Sequence, residues 1–152
     1  MSVKVWRGKG VLYMFFWKKK SAEEKEKIIE KEKKAVIDND LYGGFIISEN
    51  VLYNHVPIRY TFRQESTIPE LNGWYIYSAI DDDEYVNNPD NFCIVSAETM
   101  FSIAPVFAEI FDAPYGTDLC WMYEELDGDP VLVGFYDLIG QREVSIDEIV
   151  GE

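Results

Sequence analysis

The side chains able to do chemistry in this 152-residue chain are few and scattered. His55 is the one histidine, and Cys93 and Cys120 are the two cysteines. A nucleophilic dyad needs a base held against a thiol or hydroxyl. His55 stands in a turn beside Pro57 with no local partner. One histidine and two separated cysteines do not make the four-ligand set that zinc takes. No phosphate loop or dinucleotide fingerprint is present, and Gly43-Gly44 reads as a turn. The densest reactive feature is Asp81-Asp82-Asp83-Glu84. Carboxylates are hard oxygen ligands for calcium or magnesium, but four consecutive acids do not face one point and the spacing of a calcium loop is absent. The residue types therefore predict no catalytic group, no cofactor and no metal, and a protein that is not an enzyme.

The acidic run is the centre of a longer stretch, Gly73 to Asn91. It starts as an aromatic strand, Trp74-Tyr75-Ile76-Tyr77, and ends in Tyr85 and the turn-forming Asn87-Asn88-Pro89-Asp90-Asn91. Two uses of such a stretch need no catalysis. Arg59 or Arg63, scarce cations on a nearby strand, can pair with the acids and offset their self-repulsion. Alternatively, exposed acids beside aromatic anchors make a partner-binding patch. The candidate partner-binding residues are Trp74, Tyr77, Asp81, Asp82, Asp83, Glu84, Tyr85, Asp90 and Asn91. Trp74 is expected to be buried and the four acids partly exposed.

The elements that position this stretch follow from pattern. Ser21-Ala22-Glu23-Glu24 reads as a capping box opening a helix from about Ala22 to Ile37. Its apolar stripe is thin, so it is expected to be mostly solvated and to pack through its last turns. Phe45 to Ile47 is a short strand, and Glu49 to Asn54 a turn. Val56, Ile58, Tyr60 and Phe62 alternate with polar residues, predicting one buried face. Trp74 to Ala79 is apolar on both faces and so central, and Phe92 to Ser96 is a further strand. Glu98 to Phe111 has helical periodicity that Pro105 splits into two short helices. Leu119–Glu124 and Val131–Phe135 form a hairpin across Asp127-Gly128-Asp129-Pro130. Ser145-Ile146-Asp147-Glu148 is a second capping box. These elements predict an α+β fold, a single domain with a mainly antiparallel sheet of five or six strands. Two short helices cover one face, and the N-terminal helix lies outside.

Charge is divided along the chain. Residues 1–34 hold eleven of the fourteen basic side chains, whereas residues 35–152 hold only Arg59, Arg63 and Arg142 against 23 acids. Such an excess repels nucleic acid and anionic lipid and attracts basic partners. A composition 47% hydrophobic and 15% aromatic is that of a folded domain. Both cysteines sit in apolar strand-like runs and read as free buried thiols of a cytoplasmic protein. The longest apolar run, Val11 to Trp17, is far shorter than the ~20 residues a membrane span needs. Residues 1–20 read as a poorly patterned leader, 21–40 as a charged helix and 41–152 as the domain. Arg7-Gly8-Lys9-Gly10 can be encoded by purine-only codons resembling a bacterial ribosome-binding site a few codons before Met14. We therefore expect Met1–Tyr13 to be untranslated leader read as protein, with a genuine N-terminal strand as the rival.

The run Gly73-Trp74 … Asp81-Asp82-Asp83-Glu84-Tyr85 … Asn88-Pro89-Asp90-Asn91 resembles the central motif of a bacterial family called domain of unknown function 2185. The family is also described as the immunity protein 33 domain of polymorphic toxin systems. The likeness extends in order through Gly43-Gly44-Phe45-Ile46-Ile47-Ser48, Ile58 to Arg63 and Asp112-Ala113-Pro114-Tyr115-Gly116-Thr117, about residues 43–125. What the resemblance implies is a non-enzymatic protein that binds and neutralises a bacterial toxin. The acidic surface would suit a basic toxin as that protein partner, with no nucleic acid and no membrane involved. The alternative is a regulatory or small-ligand-binding module with a cleft near the acidic loop, marked by a pocket lined by Trp74, Tyr77 and Trp121.

Overall fold

The computed structural model describes residues 21–38 and 41–151. The expectations for residues 1–20, including a start at Met14, lie outside the described residues. The described residues form an α+β fold around a seven-stranded, mostly antiparallel sheet. Helix α1 (Ala22–Asp38) precedes β1 (Gly44–Ser48), the one-turn helix α2 (Glu49–Leu52), β2 (Ile58–Arg63) and β3 (Leu71–Ser78). Then come α3 (Asp83–Val86), a 3-10 turn at Pro89–Asn91, β4 (Phe92–Val95), α4 (Ala97–Ile103) and α5 (Phe107–Ile110). The chain continues through β5 (Asp118–Leu126), β6 (Asp129–Asp137), β7 (Arg142–Val144) and α6 (Ile146–Val150). The strand order is β4-β1-β3-β2-β5-β6-β7; β1 and β3 pair in parallel, and the other pairs of described strands are antiparallel. The seventh strand is β7, three residues with no apolar alternation to announce them.

The core lies on one face of this sheet. Phe45, Ile47, Trp74, Ile76, Leu119, Trp121 and Phe135 point into it and meet Met100, Phe107 and Ile110 from α4 and α5. Edge-on ring contacts hold the layers together, Phe107 against Trp74 at 4.8 Å and against Phe45 at 5.5 Å. Such pairs add about 0.5–1.5 kcal/mol each beyond the area they bury. The two polar atoms most exposed to risk here are satisfied: the Trp121 indole donates to buried Thr61 Oγ1 at 2.9 Å, and the Trp74 indole to Phe111 O at 3.0 Å. Ala104 leaves helical geometry (φ −139°, ψ 88°) immediately before Pro105, which separates α4 from α5 as the sequence predicts.

Two sequence expectations need correction. Glu49–Leu52 is a helical turn, because Ser48 Oγ caps it from the end of β1. Helix α1, by contrast, packs through its last turns as its thin apolar stripe predicts. Glu32 accepts from Ser96 N at 3.0 Å and from Thr99 Oγ1 at 2.7 Å, and Val36 is buried. The second correction concerns β2. Ile58 is buried, but a bulge between Ile58 and Tyr60 reverses the alternation, so Thr61 points into the core while Tyr60 is exposed. One extra residue exchanges the two faces of a strand.

Candidate partner-binding site

The residues between β3 and β4 fold as a closed, hydrogen-bonded cap at one end of the sheet. Asp81 is its inward anchor. Its Oδ2 accepts from Ser78 N at 2.7 Å, and its Oδ1 accepts from Ser78 Oγ at 2.6 Å and from Asn50 Nδ2 at 2.8 Å. Three donors on one carboxylate replace the cation that the sequence called for. Asp82 caps α3 through Tyr85 N at 2.8 Å. Tyr85 then reaches back over β1. Its hydroxyl accepts from Ser48 Oγ and Asn50 N, each at 3.3 Å, and donates to Asn91 O at 3.2 Å. The Asn91 side chain returns a bond to Tyr85 O at 2.9 Å, and Asn88 Oδ1 caps the 3-10 turn through Asp90 N. Burial is the main cause that raises the Tyr85 phenol above its ordinary value, with the Ser48 contact opposing it.

Neither arginine pairs with this segment, which corrects the ion-pair expectation. The ion pairs among the described residues are Lys27–Glu23, Lys33–Glu30 and Arg142–Glu148. The bulge in β2 turns Arg63 inward instead. Its Nε donates to Asn72 O at 3.0 Å, and one terminal nitrogen donates to Phe111 O at 3.0 Å and Ala113 O at 2.9 Å. Its guanidinium carbon lies 5.2 Å from the Phe111 ring centroid and 4.8 Å from that of Tyr115. The carboxylates of Asp82, Asp83, Glu84 and Asp90 are left exposed, with no cation among the described residues paired to them. Trp74 is completely buried, so it supports the site from beneath and cannot touch a partner. Tyr77 is half-buried on the opposite face of β3, with burial as the main cause raising its phenol and Tyr75 and Asp81 adding to it.

That opposite face is the part the sequence reading missed. Tyr75 pairs with Phe62 and Tyr77 with Tyr60 across β3 and β2, and none of the four belongs to the core cluster. The Phe62 and Tyr75 rings stack at 4.8 Å and 4°. Tyr77 stands edge-on to Phe62 at 5.3 Å and meets Phe92 at 5.4 Å, and Phe92 meets Tyr85 at 5.9 Å. The row thus runs from the middle of the sheet to the acidic cap. Ser48, on β1 between Tyr77 and Phe92, is small enough for the two rings to close over it, and it is fully buried. A signal for this existed in the sequence. Trp74 and Ile76 alternate with Tyr75 and Tyr77, and tyrosine keeps its hydroxyl near water.

The family model of the immunity protein Imm33 domain matches residues 45–127, more than half of the chain. This chain belongs to the Imm33 immunity protein domain family. The matched part of the Imm33 domain runs from β1 to the tip of the β5–β6 hairpin, so it contains both the acidic cap and the aromatic row. No curated protein and no solved structure matches the chain.

The remaining candidate groups of this Imm33 chain are placed as follows. His55 takes a positive φ of 55°, and its buried Nε2 has no hydrogen-bond partner among the described residues. Burial lowers its pKa below the ordinary imidazole value. Cys93 and Cys120 are free and half-buried. The Cys93 sulfur lies 3.6 Å from Glu49 Oε1 and 3.8 Å from the Tyr53 hydroxyl, and burial, then the Glu49 charge, push the thiol up to about 12. A thiol so held is protonated and a poor nucleophile. Among the described residues, no three or more His, Cys, Asp or Glu side chains gather where a metal ion could sit. No described helix is long and apolar enough to cross a membrane. A cleft of about 330 Å³ lies between α1 and β4 and reaches Pro89 and Asp90. Its walls include Ile28, Leu52, Tyr53 and Cys93, not the Trp74, Tyr77 and Trp121 expected for a ligand pocket.

Proposed function

We propose that this chain is an immunity protein that neutralises a basic bacterial toxin by direct, non-catalytic binding in the cytoplasm. The observation that carries the reading is the Imm33 match across β1 to β5, which includes the acidic cap. The geometry is compatible with it. The cap is rigid through its own hydrogen bonds, yet Asp82, Asp83, Glu84 and Asp90 face solvent with no cation of the described residues paired to them. Preformed, unpaired negative charge steers a positive partner into contact. Co-expression tests this, with the toxin encoded beside the gene for this chain. The expected result is restored growth together with a complex of fixed stoichiometry on size-exclusion chromatography. Protection without a complex, or protection abolished by His55→Ala or Cys120→Ala in variants that still fold, would instead indicate an enzyme.

The cleft beside α1 supports a second reading, a small-ligand-binding module. It has an apolar wall and the carboxyl of Glu49, which burial, its largest cause, holds above the ordinary carboxylate range. Filling it with Ile28→Trp separates the two readings. Toxin protection survives that change if the cap and the sheet do the work, and is lost if an occupied cleft is required.

A further inference from the structure

The core-forming helices among the described residues lie on one side of the sheet, and on the other side α1 covers the β1–β4 corner, where Val36 and Ile94 close over Gly44. That other side also carries Ile46, Tyr60, Phe62, Tyr75, Tyr77 and Phe92, of which Tyr60 is 39% exposed and the others half-buried. Two strand registers define it. Ile94, Ile46, Tyr75, Phe62 and Asp118 form one row, and Tyr77, Tyr60, Cys120, Tyr136 and Glu143 form the next. Neither row contains a lysine or an arginine, and each ends in a carboxylate. Near the β4 end, Tyr85 connects the aromatic row to the acidic cap.

We infer that this open aromatic face is the docking platform of the protein, and that its occupant is an arginine-bearing surface of the toxin. The inference rests on the toxin-binding reading and names the chemistry of the partner. Aromatic faces carry negative π-density, and guanidinium groups stack on them while keeping their in-plane donors free. Carboxylates at the borders are placed to take those donors, as forks matched to arginine. A second copy of this chain is a poor occupant, since it carries the same acids and a net charge of −14. A purely apolar partner would leave the bordering carboxylates desolvated and unpaired. Lysine, a compact and strongly hydrated ammonium, gains less from the same rings.

The test uses the full chain with octa-arginine and octa-lysine peptides as probes, followed by NMR of the aromatic rings. Saturable shifts of the Tyr60, Phe62, Tyr75 and Tyr77 rings are expected with octa-arginine, at an affinity about fivefold or more above that of octa-lysine. Tyr60→Lys places a cation on the face at an exposed position and should weaken octa-arginine binding by about tenfold with an unchanged melting temperature. The triple change Tyr60→Ser, Phe62→Ser, Tyr75→Ser is a second arm where it stays folded. Equal binding of the two peptides, or shifts confined to Asp82–Asp90, would overturn the inference. It is also overturned if the ring signals depend on protein concentration without peptide, because a second copy then holds the face. Ring shifts on deleting residues 1–20 would overturn it in the same way, assigning the face to the chain itself. Toxin protection that survives Tyr60→Lys refutes the platform and leaves the immunity reading standing. Octa-arginine binding without protection from any toxin refutes the immunity reading and leaves the face as an arginine-binding surface.

Discussion

Arg63 shows what a single residue contributes when the backbone re-aims it. It looked like a surface cation for the acidic run, yet it bonds three backbone carbonyls and lies against Phe111 and Tyr115. Removing it as Arg63→Ala leaves those carbonyls without their charged donor, and a loss of about 3 kcal/mol is expected. Arg63→Lys keeps the charge but not the fork and should recover less than half of that loss. Urea unfolding of both variants decides it, and a loss within about 0.5 kcal/mol of zero for the alanine variant would show the cage to be ornamental. Glu49 gives a pH-dependent counterpart. Burial raises its folded pKa above the ordinary 4.5, with Asp90 adding to this while Cys93 and Lys25 oppose it. The folded state therefore holds that proton more tightly than the unfolded one, and ionising it costs stability. The gain from protonation is complete below 4.5 and is lost as pH rises through the raised value. Glu49→Gln should accordingly stabilise the protein at neutral pH, with the advantage vanishing in acid. A glutamine variant less stable at neutral pH would mean that the Cys93 and Lys25 contacts outweigh burial.

At the scale of elements, local chemistry that sits next to its own element was legible. Ser145 and Glu148 form a complete capping box, with Glu148 N to Ser145 Oγ at 3.1 Å and Ser145 N to Glu148 Oε1 at 3.2 Å. Arg142 closes on the Glu148 carboxylate and is the main cause that lowers its pKa. This box starts the five-residue α6, whose Ile149 is buried in the core cluster. Ser145→Ala is expected to cost about 1 kcal/mol, and Ser145→Asp much less, as read from the urea midpoint. An alanine variant as stable as the parent would show that packing of Ile149 alone sets the helix. Ser21, Pro105 and the Asp127-Gly128 turn announced their elements in the same way. What stayed hidden depends on residues far apart. Asn50 holds Asp81 across 31 positions, and nothing near Asp81 points to it. The bulge at Ile58–Tyr60 has no sequence mark, yet it decides where Arg63, Thr61 and Tyr60 point. Gly73 is the nearest thing to a signal. Its φ is 88°, and a Cβ there would sit 2.2 Å from Gln64 O, so glycine fixes the approach of β2 to β3.

At the scale of the whole molecule, the fold separates support from contact. Trp74 and Asp81, which the sequence placed among partner-binding residues, are structural, one under the sheet and one inside the cap. Asp82 contributes one oxygen to the α3 cap, while Asp83 and Glu84 are exposed beside it. A charge test on the cap must therefore spare Asp81, whose loss would open the cap and confuse folding with steering. The triple change Asp82→Asn, Asp83→Asn, Glu84→Gln keeps the shape of each side chain. It also keeps the start of α3, because asparagine caps a helix about as well as aspartate. Exposed charge acts mainly on the encounter of two proteins, and less on the lifetime of their complex. The triple variant should therefore associate with the toxin about tenfold more slowly at low salt, while dissociation changes little. The parent's rate should fall steeply as salt is added and meet that of the variant once the Debye length shrinks to a few ångströms, near ~1 M. Stopped-flow association across a salt series reads both. Parallel salt curves for parent and variant would place the steering charge elsewhere among the 23 acids of residues 35–152, and a flat curve for the parent would remove electrostatic steering from the mechanism.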